Sequence, residues 1–191
     1  EEWFTSNYAT YNDGNTFWEK GTPAQSSLNG AFSGNNAWMV SLSNNYRNRD
    51  SSALFTPVFE IDSTHRYRIS FMHSYKTERY HDGGTMDISK DGGVTWETVG
   101  NVRSDWFNTQ FVTSLDVIKP GWTSNSNGYN PASIVVEIPK TGPVIFRFRF
   151  GSDQGIETEG WAIDDFCFQQ TFDAADYYVG MEEAIPGLAS L

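Results

Sequence analysis

The chain has 191 residues, with 13 Lys plus Arg against 24 Asp plus Glu and a formal net charge of −11. That balance excludes a phosphate-tracking nucleic-acid binder, which needs a basic patch, and disfavours docking on anionic membranes. Aromatic residues make up 16% of the sequence, too many for a disordered chain, and at this length roughly 70% of the unfolded surface can be buried without disulfides.

Helical periodicity is missing almost everywhere, and period-two alternation recurs instead. It predicts strands at 37–43, 53–61, 66–73, 85–90, 95–101, 109–115, 133–138, 144–150 and 161–168. Within 66–73, Tyr67, Ile69, Phe71 and His73 share one face. Within 144–150, Val144 and the three Phe point one way, Arg147 and Arg149 the other. Loops rich in Gly, Asn, Ser and Asp lie between, as at 43–52 and 123–131. Short strands with polar connections predict an all-β fold, a two-sheet antiparallel jelly-roll sandwich over 1–170. No fixed-period repeat argues for a propeller or solenoid. Residues 151–191 hold nine acids and no Lys or Arg, and alternation stops after Phe168. The segment 171–191 therefore reads as an acidic tail or linker. No run approaches the roughly 20 apolar residues that span a bilayer. The first residues do not read as a signal peptide, which leaves a cytoplasmic chain or one already trimmed.

The sharpest motif is Ser89-Lys90-Asp91-Gly92-Gly93-Val94-Thr95-Trp96, which fits the Asp-box pattern S-x-D-x-G-x-T-W. Asp91 accepts turn amides there, the glycines supply backbone angles barred to other residues, and Trp96 packs beneath. A single copy in a chain this short is a hairpin device, not a sialidase propeller. The lone Cys167, in the run A-I-D-D-F-C-F, reads as a buried, inert thiol.

Acids cluster near predicted strand ends at Glu78 and Asp82, before Gly83-Gly84, and at Asp153, Glu159, Asp164 and Asp165. Calcium takes six to eight oxygens from carboxylates and turn carbonyls, and this pattern is compatible with such a site. Solvated acids with Arg partners are the other reading. Asp164 and Asp165, adjacent on a strand, point to opposite faces, so at most one faces inward. Glu60, Glu157 and Glu159 are the acids a glycosidase would draw on, although no spacing motif marks them and Asp62 reads as a turn cap. His73 reads as a core or hydrogen-bonded residue and His81 as a loop residue, with no H-E-x-x-H motif. Among the seven Trp, Trp38, Trp96 and Trp161 sit in strand patterns. Trp3, Trp106 and Trp122 lie near loops with Tyr129, and flat rings there either stack on sugars or fill the core.

Taken in order, Trp18-Glu19-Lys20-Gly21-Thr22-Pro23, Ala31-Phe32-Ser33-Gly34-Asn35-Asn36-Ala37-Trp38, Leu54-Phe55-Thr56-Pro57, Phe71-Met72-His73-Ser74-Tyr75 and Glu78 form a recognisable series. It continues through Asp82-Gly83-Gly84, the residue 89–96 hairpin, Arg147-Phe148-Arg149-Phe150 and Gly160-Trp161-Ala162-Ile163-Asp164-Asp165-Phe166. The series resembles the jelly-roll accessory domains of secreted Bacteroidetes proteins, including modules that follow immune-inhibitor-A-type metalloproteases. These are related to MAM domains, gingipain cleaved-adhesin domains and reelin subrepeats. The resemblance spans roughly residues 15–170. It implies structural Ca2+ at the Glu78/Asp82 and Asp153/Asp164/Asp165 clusters, and Val179-Gly180-Met181-Glu182-Glu183 looks like the linker before a type IX secretion sorting domain.

The expectation is a non-catalytic, calcium-stabilised adhesion or substrate-targeting module of a larger secreted or cell-surface protein. Its partners would be a glycan or an extracellular protein ligand, met through Trp106, Trp122 and Tyr129, and the neighbouring domains of the parent chain. A small jelly-roll glycosidase or lyase is the rival, and an interdomain spacer the third reading.

Overall fold

The computed structural model describes residues 2–8, 18–115 and 117–171; of the expected linker at 171–191, Thr171 ends the last strand and the rest lies outside the described residues. The thirteen strands are β1 (Phe4–Asn7), β2 (Trp18–Gly21), β3 (Ala37–Val40), β4 (Ser51–Phe55), β5 (Phe59–Ile61), β6 (Arg66–Lys76) and β7 (Gly83–Ser89), then β8 (Glu97–Thr98), β9 (Thr109–Val112), β10 (Lys119–Gly121), β11 (Asn130–Glu137), β12 (Gly142–Gly151) and β13 (Gly160–Thr171). Every pairing among them is antiparallel. One sheet runs β1-β4-β12-β7-β8 with β5 also on β12; the other runs β11-β6-β13-β3-β2, and β9 pairs β10. The chain is an all-β sandwich.

Alternation builds the core as expected. On β12, Val144, Phe146, Phe148 and Phe150 are at most 1% exposed, and they meet Ile69 and Phe71 of β6 and Trp161 of β13 in one buried cluster. Arg147 and Arg149 point away, onto the outer face, where each lies over an aromatic ring, Trp96 and Tyr8 respectively. The predicted strand 53–61 divides into β4 and β5, because Pro57 cannot donate to a ladder.

β13 departs from simple alternation. Asp164 pairs with Met72, but the next pair is Cys167 with Ser70, so one extra residue bulges out. Asp165 sits at the bulge with φ +47°. The inward parity therefore flips, from Trp161 and Ile163 before the bulge to Phe166 and Phe168 after it. Cys167, expected buried, is exposed for that reason.

The residue 89–96 turn forms as its chemistry requires. The Asp91 carboxylate accepts from the Thr95 hydroxyl and amide, then the Ser89 hydroxyl and the Val94 amide, and in that order these bonds hold its pKa down at about 2. Trp96 donates to the Gly93 carbonyl at 3.0 Å.

Candidate metal centre and recognition surface

β6 and β13 are neighbours in one sheet, and β7 and β12 are neighbours in the other. The loops β6–β7 and β12–β13 therefore both cross between sheets at the same end, with Lys76 opposite Gly160 and Gly83 opposite Gly151. That topology brings Glu78 and Asp82 to Asp153, and each offers an oxygen within 4.8 Å of the others.

The group is tightly tied. Asp82, 1% exposed, accepts the Asp153 amide at 2.8 Å, and its other oxygen lies 2.8 Å from the hydroxyl of buried Tyr46. The same hydroxyl accepts the Glu78 amide at 3.1 Å and lies 3.0 Å from the Ile156 carbonyl. Glu78 accepts the Ile156 amide, and Asp153 accepts the Gly155 amide and faces His81 Nδ1 at 3.3 Å. Burial first, with the charges of Asp153 and Glu78 added, pushes Asp82 up to about 6 despite the bonds from Asp153 and Tyr46. At an effective dielectric near 20, full like charges this close repel by about 3.5–4 kcal/mol per pair.

The donor set suits a hard cation. All three side chains are carboxylates, and a Cβ on Gly155 would lie 2.7 Å from Glu78 Oε2 and 2.9 Å from Asp153 Oδ1. Glycine thus keeps the space over the oxygens open.

The other expected donors lie elsewhere. Glu159 is bonded at 2.7 Å to Lys76 Nζ and to the Ser27 and Leu28 amides. Burial would raise its pKa, but those bonds outweigh it and bring it down to about 2. Asp164 accepts the Phe32 and Ser33 amides, and Asp165 accepts the Ser33 hydroxyl. These three acids anchor the loop before β3; they are not part of the Glu78–Asp82–Asp153 group. Tyr46, which organises that group, had no marker in the sequence; Gly155, two residues after Asp153, had a faint one.

The expected recognition surface is also corrected. Trp106 and Trp122 are 3% and 4% exposed. They pack edge-on against Phe71 and close the core, so neither presents a face to a ligand. Tyr129 is half-buried, donates to the Gly30 carbonyl at 3.1 Å and packs beside Leu28, Met39 and Ala162. Its phenol is held neutral by burial and then by the Asp164 charge.

No family model matches the chain, and no curated protein matches it significantly. Solved structures do. The module TmCBM61, solved with β-1,4-galactotriose, superposes with a TM-score of 0.53 at 17% identity over 88% of each chain. A cleaved adhesin domain of Lys-gingipain from Porphyromonas gingivalis gives 0.50 at 10% identity, covering 89% of this chain and 91% of that one. The enzymatically active domain of a tailspike protein from bacteriophage CBA120 gives 0.52 at 12% identity, over 88% of this chain but only 19% of its own. The likeness is one of fold. Among the described residues no helix is long and apolar enough to cross a membrane.

Proposed function

We propose that the chain is a non-catalytic binding module of a larger secreted or cell-surface protein, with Ca2+ held at Glu78, Asp82 and Asp153. The observation that carries this reading is the convergence of three carboxylates from two inter-sheet crossovers on the open position above Gly155. When bound, the ion supplies positive charge that neutralises the trio and ties the two loops together. The chain's own residues prepare the site: Tyr46 and the Asp153 amide orient Asp82, and the Ile156 amide orients Glu78.

The partner is a glycan or an extracellular protein, with the neighbouring domains of the parent chain as further contacts. The fold shared with a galactotriose-binding module and an adhesin domain supports that choice. Two of the three acids a glycosidase would use are engaged, and the third, Glu60, stands exposed on β5. Glu159 is locked in its ion pair, and Glu157 accepts the Asn48 amide. Asp82 carries a raised pKa but lies out of a substrate's reach at 1% exposure. Glycoside hydrolysis needs two poised carboxyl groups across a groove.

A polysaccharide panel separates the two classes. Binding without turnover is expected. Turnover that a single Glu60→Gln or Glu157→Gln change abolishes would contradict the reading.

A further inference from the structure

At the edge of the sandwich, between the start of the chain and the β2–β3–β13 side, lies a cavity of about 200 Å³ lined in part by Trp3, Lys20, Asn36, Trp38, Asp165 and Phe166. Its aromatic wall is braced from behind. Trp3 stacks on Phe148 at 6.3 Å, meets Phe166 edge-on at 5.3 Å and lies 6.2 Å from Trp38. Unlike Trp106, Trp122 and Trp161, the rings of Trp3, Trp38 and Phe166 remain partly open to solvent.

The β13 bulge delivers the polar side. Asp165 takes a left-handed backbone conformation there, and such strain and bulges concentrate where a side chain is re-aimed for use. Asp164 and Asp165 both line the cavity; Asp164 clamps the Phe32 and Ser33 amides and so fixes the neighbouring loop, and one Asp165 oxygen accepts the Ser33 hydroxyl. Lys20, Asn36 and Asp165 are exposed, and Lys20 makes no ion pair among the described residues.

We propose that this pocket binds a single neutral pyranose ring, the terminal or side-branch unit of a glycan. The inference rests on the binding-module reading and supplies its site. A pyranose has an apolar C–H face, which the indole and phenyl rings cover. Its hydroxyls both donate and accept, and Lys20 donates, Asp165 accepts and Asn36 does both. An apolar peptide side chain would instead desolvate Lys20 and Asp165 without return. The cavity is smaller than the roughly 300–1,000 Å³ of most small-molecule sites, which limits it to about one ring. The chain's −11 charge disfavours uronate and sulfate sugars.

The test screens neutral oligosaccharides on an array and then titrates the best binder by calorimetry into the full chain. Lys20→Ala, Asn36→Ala and Trp3→Ala should each weaken binding about tenfold or more, as loss of a buried contact does. Phe111→Ala, on the β9–β10 hairpin, should leave binding unchanged, and the terminal monosaccharide should compete. Lys20→Ala and Asn36→Ala change exposed side chains, so unaltered melting separates lost contact from lost fold. A glycan whose binding survives all three pocket variants would overturn this site while leaving the binding-module reading intact. No binding by any glycan would overturn the site, and retention of a protein ligand would then show that the broader reading had survived.

Discussion

His73 stands in a wall of aromatic rings, edge-on to Phe71, Tyr75 and Trp122, and accepts the Trp161 indole N–H at 3.3 Å. Burial pushes its pKa down to about 3. The unfolded ring protonates near 6.5, so between those values the unfolded state binds more protons and stability falls as pH drops. His73→Phe should flatten the acid side of a urea-unfolding series from about pH 6.5 to 3; an unchanged slope would exclude the buried neutral ring. Glu159 acts in the same direction over a lower window. Its folded pKa of about 2 lies below the ordinary 4.5, so its contribution is complete above 4.5 and lost as pH falls toward 2. Glu159→Gln should cost about 1–2 kcal/mol at pH 7, since it removes the charge-assisted bonds that the buried carboxylate accepts from Lys76 and the Ser27 and Leu28 amides. The gap to the parent chain should close as pH falls through that window. The role of His73 was legible from alternation alone. That of Glu159 was not, because its partners Lys76, Ser27 and Leu28 lie 83, 132 and 131 residues away.

Where strands approach closely, glycine decides whether they can. A Cβ on Gly84 of β7 would lie 2.1 Å from the ring of Trp161, which is 1% exposed and has nowhere to go. Gly84→Ala should therefore destabilise by about 3 kcal/mol or more by overpacking. Gly30→Ala, with nothing within 4 Å of its added methyl, should be close to neutral. Chemical denaturation of the two variants makes the comparison, and equal midpoints would mean that β7 and β13 are not packed as described. The long strands β6 and β12 were readable because each repeats its alternation often enough to stand out, and β13 was readable as an apolar run although its alternation breaks at the bulge. β1, β2 and β10 were not: they are three or four residues long and are defined by pairing with strands distant in sequence. The bulge in β13 left no trace in the pattern A-I-D-D-F-C-F, and it carried Cys167 to the surface and Asp165 to the pocket rim.

For the molecule as a whole, two sheets are joined at one end by crossovers whose acids repel one another. Sequence reading found the acids and the sandwich separately. It named six acids as candidate ligands without sorting them into sites, because the strand pairing that sorts them is a property of the closed fold. Glu78, Asp82 and Asp153 meet across the crossovers, whereas Glu159, Asp164 and Asp165 fasten a loop through backbone amides. Calcium that binds only the folded form must stabilise it by mass action, about 2.7 kcal/mol at a hundredfold excess over Kd. In a chain of this size each kcal/mol moves the melting midpoint by roughly 2–4 °C. The most direct test is scanning calorimetry of the chain, stripped with chelator and then titrated with Ca2+, alongside Asp82→Asn and Asp153→Asn. The midpoint should rise by about 5–10 °C with Ca2+ in the parent chain and respond little in either variant. A parent midpoint that is the same with chelator and with saturating Ca2+ would contradict the calcium site.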